Sequence, residues 1–399
     1  MNRSKIKYFA FLNMQQVDHV VLGAGIAGVY IGWQLLDADK DFVILEKGSS
    51  RRGKQKSIPF CGGIAELGSS VIHSHQIKIQ SLAKRVGCTF TALDKKEKSI
   101  RLLSGLTADQ AKAEFKNAKS KVKKASLTRK LMTLDEVAVS VLTKPEYDVL
   151  KWGWDCWFEN AGMNAFGLFA SMANEGDYMT CDQGLESILL RSDDSLPIRF
   201  NTAATSVEWT GDKFIVNGSV MCNYLYVTVD IVSLTKIAFR GIPHSFFLFA
   251  SCGEPVPSCR FYVCLDKPID TGDIGSIIGD PQEWPFKWTI RITPTTWLIS
   301  YVDGPLVEGI QQQKTTLVDR WITFMNNKFN ADLTSKNVTD AVVAFWEDSF
   351  TRLSKAYFER GYQYKRPKSF LGKRLWCTTL PTIEGQAWME GHLVDIDLN

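Results

Sequence analysis

Residues 17–46, which read VDHVVLGAGIAGVYIGWQLLDADKDFVILE, decide the fold of this chain. Val17–Leu22 and Phe42–Leu45 are short, mostly apolar runs that are typical of buried strands. Between them, Gly23–Gly28 has the pattern GxGxxG, and Val29–Leu36 has the composition of an apolar helix. The order strand, glycine-rich turn, helix and strand predicts a βαβ unit in an α/β domain.

The three glycines and the acid after the second strand each have a physical task in such a unit. Gly23 permits a tight turn, Gly25 lets backbone N–H groups approach a pyrophosphate, and Gly28 lets the helix pack closely on the strand. Glu46 ends the second strand, where its carboxylate can accept hydrogen bonds from a ribose. The motif predicts a dinucleotide and does not by itself separate NAD from FAD. Its position near the N-terminus of a long chain favours FAD.

The composition excludes several classes of protein. The 399 residues include 47 Lys and Arg against 43 Asp and Glu, and 45% are hydrophobic, which argues against a disordered chain. The net charge of +4 is too small to predict nucleic-acid binding. No apolar run approaches the roughly 18 residues of a membrane span, and no signal-peptide pattern is evident. We therefore expect a cytoplasmic protein of two or three domains, or one large α/β enzyme.

The nine cysteines follow neither a metal-binding nor a disulfide pattern. Their number is odd, their spacing is irregular, and no CxxC pair occurs. We therefore expect reduced thiols and no metal site.

Residues 46–87 resemble the flavin-containing amine oxidases, and polyamine oxidases in particular. The stretch ELGSSVIHSH at Glu66–His75 is similar to the segment of that family that lies along the flavin. It departs at Val71, where the family usually has Trp or another large residue. The family's GG-Arg element survives only as RGK at 52–54, in which Lys54 offers a phosphate a point charge instead of a guanidinium fork.

The resemblance also implies which residues would act on the substrate and the cofactor. His73 is a candidate for proton transfer or for orienting the amine, and a buried histidine without a chemical role is an equally open interpretation. Arg260 takes the position of a lysine that holds a water against the flavin, and Trp388 takes that of one aromatic wall beside the amine. The cofactor contacts implied are Gly23, Gly25, Ile26, Ala27, Gly28, Glu46, Lys47, Lys54, Gly68, Ser69, Ser70, Val71, Val207, Thr379, Trp388 and Met389.

Two departures bear on the cofactor. Leu380 takes the position of an FAD-contacting glutamate of the family. The segment 349–357 lacks the family's Ser-Gly-Gly and the cysteine that some members link to flavin, so FAD is expected to be non-covalent.

The resemblance implies an α/β fold, with an FAD-binding Rossmann-like domain joined to an α+β substrate domain that contains a mixed sheet and a helical insertion. Residues 17–98, 179–243 and 343–399 would form the FAD-binding domain, 99–178 the helical part of the substrate domain, and 244–342 its sheet. The implied reaction is oxidation of an amine or polyamine by FAD and dioxygen. Two alternatives stay open: a flavoenzyme of the same fold with another substrate, and a non-catalytic descendant kept as a binding or structural protein.

Local patterns predict further elements. Residues 111–130 hold eight basic residues opposed only by Glu114, which indicates either a solvated helix or a face for an anionic partner or membrane surface. Strands are predicted at Phe246–Phe249, Arg260–Leu265 and Trp288–Tyr301, and an amphipathic helix at Leu317–Phe329.

Overall fold

A computed structural model describes eleven stretches of the chain. They are 14–51, 53–92, 98–102, 105–154, 157–173, 177–192, 195–272, 274–279, 288–362, 369–381 and 392–396. The predicted site residues Trp388 and Met389 lie outside this set.

A six-stranded, mostly parallel sheet carries the glycine-rich turn. Tyr224–Val227 pairs in parallel with His19–Leu22 on one side and with Leu375–Cys377 on the other. His19–Leu22 pairs in turn with Phe42–Leu45, and both strands are fully buried, as expected for a parallel sheet covered on both faces. Strands from all three segments assigned to the FAD-binding domain therefore meet in one sheet. The strand order is Ile198–Arg199, Phe42–Leu45, His19–Leu22, Tyr224–Val227, Leu375–Cys377 and Ser369–Phe370.

The first βαβ unit forms as predicted, with shifted bounds. The strand begins at His19 rather than Val17, and the helix runs over Ile26–Asp37, so it starts directly after the glycine-rich turn. A smaller five-stranded sheet packs beside it through the buried cluster that contains Val207 and Phe214. Its order is Gln15–Gln16, Val220–Cys222, Phe214–Val216, Ser206–Trp209 and Ala238–Arg240.

The largest sheet is built on two long antiparallel strands. Gly253–Leu265 pairs along its length with Val338–Leu353, so the domain boundary proposed between 342 and 343 falls within one continuous strand. The predicted strand Trp288–Tyr301 is two strands joined by a turn. The sheet order is Val338–Leu353, Gly253–Leu265, Thr296–Asp303, Trp288–Arg291, Ile274–Gly279 and Lys98–Leu102.

Two small sheets complete the strands. The hairpin Ser57–Phe60 and Gly63–Glu66 leads into the ELGSSVIHSH stretch. A three-stranded sheet has the order Ile72–His73, Tyr178–Cys181 and Phe90–Ala92.

Helices fill the region where the sequence predicts a helical insertion. Ala108–Ser126 is the longest of them and begins with a capping box between Thr107 and Gln110. The predicted helix Leu317–Phe329 is also confirmed. The helices are Ile26–Asp37, Ile77–Arg85, Ala108–Ser126, Leu134–Val141, Lys144–Gly153, Trp157–Ala161, Ala165–Ala173, Glu186–Leu190, Ile231–Leu234, His244–Ala250, Leu306–Gln312, Leu317–Phe329 and Lys355–Glu359, with 3₁₀ turns at Lys314–Thr316 and Ser335–Asn337.

The strand predicted at Phe246–Phe249 is wrong, because these residues lie in the helix His244–Ala250. Phe246 and Phe249 are fully buried and lie three residues apart, on one face of the helix, whereas Phe247 is exposed. A short, continuous apolar run has no period that separates a buried strand from a buried helix.

The expectation that all cysteines are reduced is also wrong. Cys61 and Cys264 form a disulfide with a Cα–Cα distance of 5.9 Å across 203 positions of sequence. Cys61 lies in the turn of the 57–66 hairpin and Cys264 near the end of the long strand, so only the tertiary fold brings them together. Six other cysteines among the described residues are buried and belong to no disulfide.

The described residues include neither a membrane-spanning helix nor a cluster of metal-binding side chains. Within these ranges, no helix combines the length and apolar character needed to cross a membrane. Nor do the His, Cys, Asp and Glu side chains described here form a group of three that could hold a metal ion.

Candidate cofactor-binding and active site

The glycine-rich turn lies at the carboxyl edge of the parallel sheet, where ligands bind in open α/β folds. Gly23 has φ of 101°, a conformation that other L-residues rarely adopt. A Cβ placed on Gly28 would lie 1.9 Å from the Gly23 carbonyl oxygen, so only glycine fits there. Gly25 caps the helix with extended backbone, and no described side chain bonds to the N–H groups of the first turn. These donors suit an anionic group such as a pyrophosphate.

The Glu46 carboxylate is hydrogen-bonded to the backbone of this turn. Its Oε2 accepts a hydrogen bond from the Ala24 N–H at 2.7 Å, and its Oε1 accepts one from the Gly48 N–H at 2.7 Å. A carboxylate has about four acceptor positions, so two remain available for ribose hydroxyls. The donor and acceptor set therefore fits a dinucleotide: N–H donors for phosphate and a buried carboxylate for ribose.

The segment that would hold the second side of the phosphate packs on the first. Gly53 has φ of 53°, and a Cβ placed on it would lie 2.9 Å from the Gly25 Cα. The next residue, Lys54, has its Nζ 3.1 Å from Oδ1 of Asp348. Burial raises the pKa of Asp348, and the nearby Lys54 ammonium opposes that rise. Lys54 thus already faces a buried carboxyl group, and any phosphate contact would have to share its charge.

The Glu66–Ser70 stretch is fixed against residues 54–56. The Leu67 N–H donates to the Lys56 carbonyl at 2.7 Å, and the Ser69 N–H donates to the Lys54 carbonyl at 3.2 Å. Between them, a Cβ on Gly68 would lie 2.0 Å from that same Lys54 oxygen. The small residue at 68 is therefore required for the backbone to approach the neighbouring segment.

The long sheet holds this stretch from its other side. Arg260 Nη1 donates to the Glu66 carbonyl at 3.1 Å, and Tyr262 Oη donates to the same oxygen at 3.0 Å. On the adjacent strand, Trp346 Nε1 donates to the Leu67 carbonyl at 2.6 Å. The structure thus brings Arg260 to the segment that the resemblance assigns to the flavin, and its predicted role beside the cofactor stays a prediction.

Glu66 itself is a buried acid that sequence reasoning did not single out. Its carboxylate accepts hydrogen bonds from Ser57 Oγ at 2.6 Å and from the Leu185 N–H at 2.7 Å. Burial raises the pKa of Glu66 to about 7, against the opposing effects of these hydrogen bonds and of Arg260. The signal that could have found it is its place at the head of the ELGSSVIHSH stretch.

His73 lies in the three-stranded sheet and is almost completely buried. Its ring centroid is 4.4 Å from that of Tyr178 and 5.3 Å from that of His75, and its backbone N–H donates to Gln76 Oε1. These ring contacts agree with either a structural or a chemical role. The candidate proton-transfer function of His73 stays a prediction.

The remaining described candidates divide between the sheet edge and the interior. Thr379 Oγ1 donates to the Val229 carbonyl at 3.0 Å, and a Val229 methyl lies 3.3 Å from the position of a Cβ on Gly23. Thr379 is therefore tied to the same edge as the glycine-rich turn. Val207 is buried in the five-stranded sheet, and Leu380 is fully buried beside Gly253.

Lys47, Ser70 and Val71 are also predicted to contact the cofactor. No described hydrogen bond joins them to the glycine-rich turn or to Glu46. Lys47 Nζ donates to Ser233 Oγ at 2.9 Å, at the start of the helix Ile231–Leu234. Ser70 and Val71 are half-buried and continue the stretch that Arg260 contacts.

Comparisons with known proteins agree with this architecture. Residues 21–97 match the family model described as an NAD(P)-binding Rossmann-like domain. No curated protein sequence matches the chain. Solved structures with the same fold include wild-type putrescine oxidase bound to putrescine, with 12% identity, a TM-score of 0.73, and coverage of 94% of this chain and 96% of that one.

Two further structures give the same result. A double mutant of putrescine oxidase has 12% identity and a TM-score of 0.74, over 95% of this chain and 96% of that one. Cyclohexylamine oxidase from Brevibacterium oxydans IH-35A has 13% identity and a TM-score of 0.74, over 94% and 96%. The predicted α/β fold class is therefore confirmed: the chain has the fold of these two amine oxidases over nearly its whole length.

Proposed function

We propose that this protein is an FAD-dependent oxidoreductase of the amine oxidase type. The observation that carries the proposal is the arrangement at one sheet edge of uncapped N–H donors after Gly25, the buried Glu46 carboxylate, and the Glu66–Ser70 stretch held by Arg260. The first two fit the pyrophosphate and ribose of a dinucleotide, and the third resembles in sequence the family's flavin-facing segment. The proposed substrates are an amine or polyamine and dioxygen.

The proposal assigns FAD to a non-covalent site. FAD, when bound, would take the electrons of the C–H bond beside the amine nitrogen and pass them to dioxygen. The protein's own residues would bind, orient and exclude water: the turn at Gly23–Gly28 holds the phosphates, Glu46 holds the ribose, and Arg260 orders the groups beside Glu66. His73 and Trp388 are proposed to position the amine.

Arginine in place of the family's lysine is the departure with the clearest consequence. A guanidinium is always protonated and has five donors in a planar fork, so it can hold a backbone carbonyl and a water at the same time. Arg260 already holds the Glu66 carbonyl. We propose that this guanidinium also orders a water in the active site.

The first experiment is the visible spectrum of the purified protein. Bound FAD gives an absorbance band near about 450 nm, and anaerobic addition of putrescine, spermine or cyclohexylamine should bleach it if the protein is an amine oxidase. A flavin band that no amine bleaches would point to the same-fold enzyme with another substrate. No band, even after incubation with FAD, would favour the non-catalytic descendant, for which the buried Leu380 is the supporting feature.

The role of Arg260 is tested separately in stopped-flow kinetics. Arg260→Met should slow reoxidation by dioxygen more than reduction by amine, and Arg260→Lys, which restores the family's residue, should recover much of the loss. Equal slowing of both half-reactions by Arg260→Met would argue against a water-ordering role.

A further inference from the structure

The helix Ala108–Ser126 presents a stripe of lysines to solvent. Lys112, Lys116 and Lys123 lie within about 40° of one another around the helix, and Lys124, also exposed, lies about 80–120° further round. We call these four residues the basic stripe. The adjoining face of the helix is buried in the helical region through Ala111, Phe115, Ala118, Val122 and Ser126.

The described residues supply no carboxylate that pairs with the basic stripe. In the part of the chain that the structure describes, none of its four ammonium groups has a carboxylate partner. Lys121, on another side of the helix, does have one in Glu146. Glu114 is the acid nearest the stripe in sequence, and it lies about 160° around the helix from Lys112 and Lys116. Asp109 lies in the first turn of the helix.

Large apolar side chains are exposed at the C-terminal end of the stripe. Leu127 continues the helical conformation and is 57% exposed, Leu131 is 49% exposed, and Phe166 is 39% exposed. We call these three residues the apolar cluster. The Lys130 ammonium lies 5.4 Å from the centre of the Phe166 ring, which places a further positive charge within the cluster.

Two hydrogen bonds tie the turn beside Leu131 to the segment beside Phe166. Asn164 Nδ2 donates to the Lys130 carbonyl at 2.6 Å, and the Ala165 N–H donates to the Met132 carbonyl at 3.1 Å. The turn after the lysine helix is therefore fixed to the start of the helix Ala165–Ala173, which carries Phe166. The exposed side chains are presented by a folded scaffold.

We propose that the basic stripe and the apolar cluster form a docking surface for an anionic lipid bilayer. Lysines alone would suit any polyanion, because their attraction is a matter of charge. Exposed Leu and Phe beside them favour a partner that is negative at its surface and apolar beneath it, which describes an anionic membrane. The stripe runs about 17 Å along the helix, so several lipid headgroups can meet it at once.

The proposal is independent of the cofactor and of the oxidase activity. It places the protein at a membrane surface, held by charge and by shallow insertion of the apolar cluster. Binding should therefore weaken as salt is raised.

Vesicle co-sedimentation tests the proposal with the full-length protein. We expect the protein to sediment with phosphatidylcholine vesicles that contain phosphatidylserine and to stay in solution with phosphatidylcholine alone. The double variant Lys123→Glu/Lys124→Glu should lower the partition coefficient about tenfold or more. The control Lys328→Glu/Lys336→Glu makes the same charge change at two exposed lysines elsewhere and should bind like the parent.

A second variant separates lipid from other anionic partners. Leu127→Ser/Leu131→Ser/Phe166→Ser keeps every charge and should also weaken binding to the anionic vesicles. If that variant binds as well as the parent, and heparin displaces both equally, the surface serves a soluble polyanion and the lipid proposal is wrong. Equal binding to both kinds of vesicle, or equal loss in the control, would also overturn it. Circular dichroism of each variant checks that it is folded.

Discussion

Gly68→Ala should separate the Glu66–Ser70 stretch from the segment on which it packs. The added Cβ would lie 2.0 Å from the Lys54 carbonyl oxygen and 3.0 Å from the Lys56 nitrogen. Ordinary contact begins near 3.4 Å, so the backbones must part by about 1.4 Å. Both partners are backbone, and no side chain can rotate to relieve the clash.

The cost can be worked from the contacts on either side. Overpacking typically costs about 1–3 kcal/mol. The shift also weakens the Leu67 to Lys56 and Ser69 to Lys54 hydrogen bonds, each worth about 1 kcal/mol. We therefore expect the free energy of unfolding to fall by about 2–4 kcal/mol.

Urea unfolding followed by fluorescence measures this change, and absorbance measures the FAD retained per protein. Gly63→Ala, in the hairpin just before Gly68, is the matched control, because its Cβ would lie 3.8 Å from the Phe60 carbonyl oxygen, an ordinary contact. The control should shift the free energy of unfolding by less than about 1 kcal/mol and keep its FAD. Equal stability and equal FAD content in Gly68→Ala and Gly63→Ala would refute the reasoning.

Three other predictions follow from the buried acids and the disulfide. Glu46→Gln removes the charge from the proposed ribose acceptor and should raise the Kd for FAD about tenfold or more, measured by titrating apoprotein; an unchanged Kd would remove Glu46 from the site. Replacing both Cys61 and Cys264 by Ser should destabilise the protein by up to about 5 kcal/mol, the chain-entropy value for a loop of 203 residues. Dithiothreitol should bring the parent to the level of the variant, and a parent insensitive to reductant would contradict the bond. The pKa of Glu66 is raised from 4.5 to about 7, so the folded protein holds this proton more tightly than the unfolded chain does. The contribution of Glu66 to the free energy of unfolding therefore falls as the pH rises from about 4.5 to about 7. Glu66→Gln should thus gain up to about 3 kcal/mol relative to the parent over that range in urea unfolding, whereas a constant difference would indicate a normal pKa.

Patterns among neighbouring residues predicted those elements of the fold whose contacts are local in the sequence. The Gly23–Gly28 turn and Glu46 are recognisable because each has its task within one βαβ unit of adjacent residues. The helix Leu317–Phe329 was found with its observed bounds, since its apolar residues follow the helical period.

Long-range contacts were not predictable in the same way. The Cys61–Cys264 bond depends on the hairpin and the long strand meeting in three dimensions. Glu66 and Tyr262 have ordinary sequence surroundings, and their importance follows from burial and from hydrogen bonds between distant segments. Arg260 was singled out only by the family resemblance. Its hydrogen bond to the Glu66 carbonyl could be found only from the folded structure.

The strand order of the parallel sheet has a consequence for how the chain folds. Tyr224–Val227 lies between His19–Leu22 and Leu375–Cys377, so neighbours in the middle of this sheet come from opposite ends of the sequence. During synthesis, the glycine-rich turn is made early, yet the strand before it, His19–Leu22, lacks its partner Tyr224–Val227 until more than half of the chain has been made. Such non-local pairing slows folding and leaves strand edges open in the meantime. We expect this domain to assemble last, and molecular chaperones to act on the nascent chain while those edges are exposed.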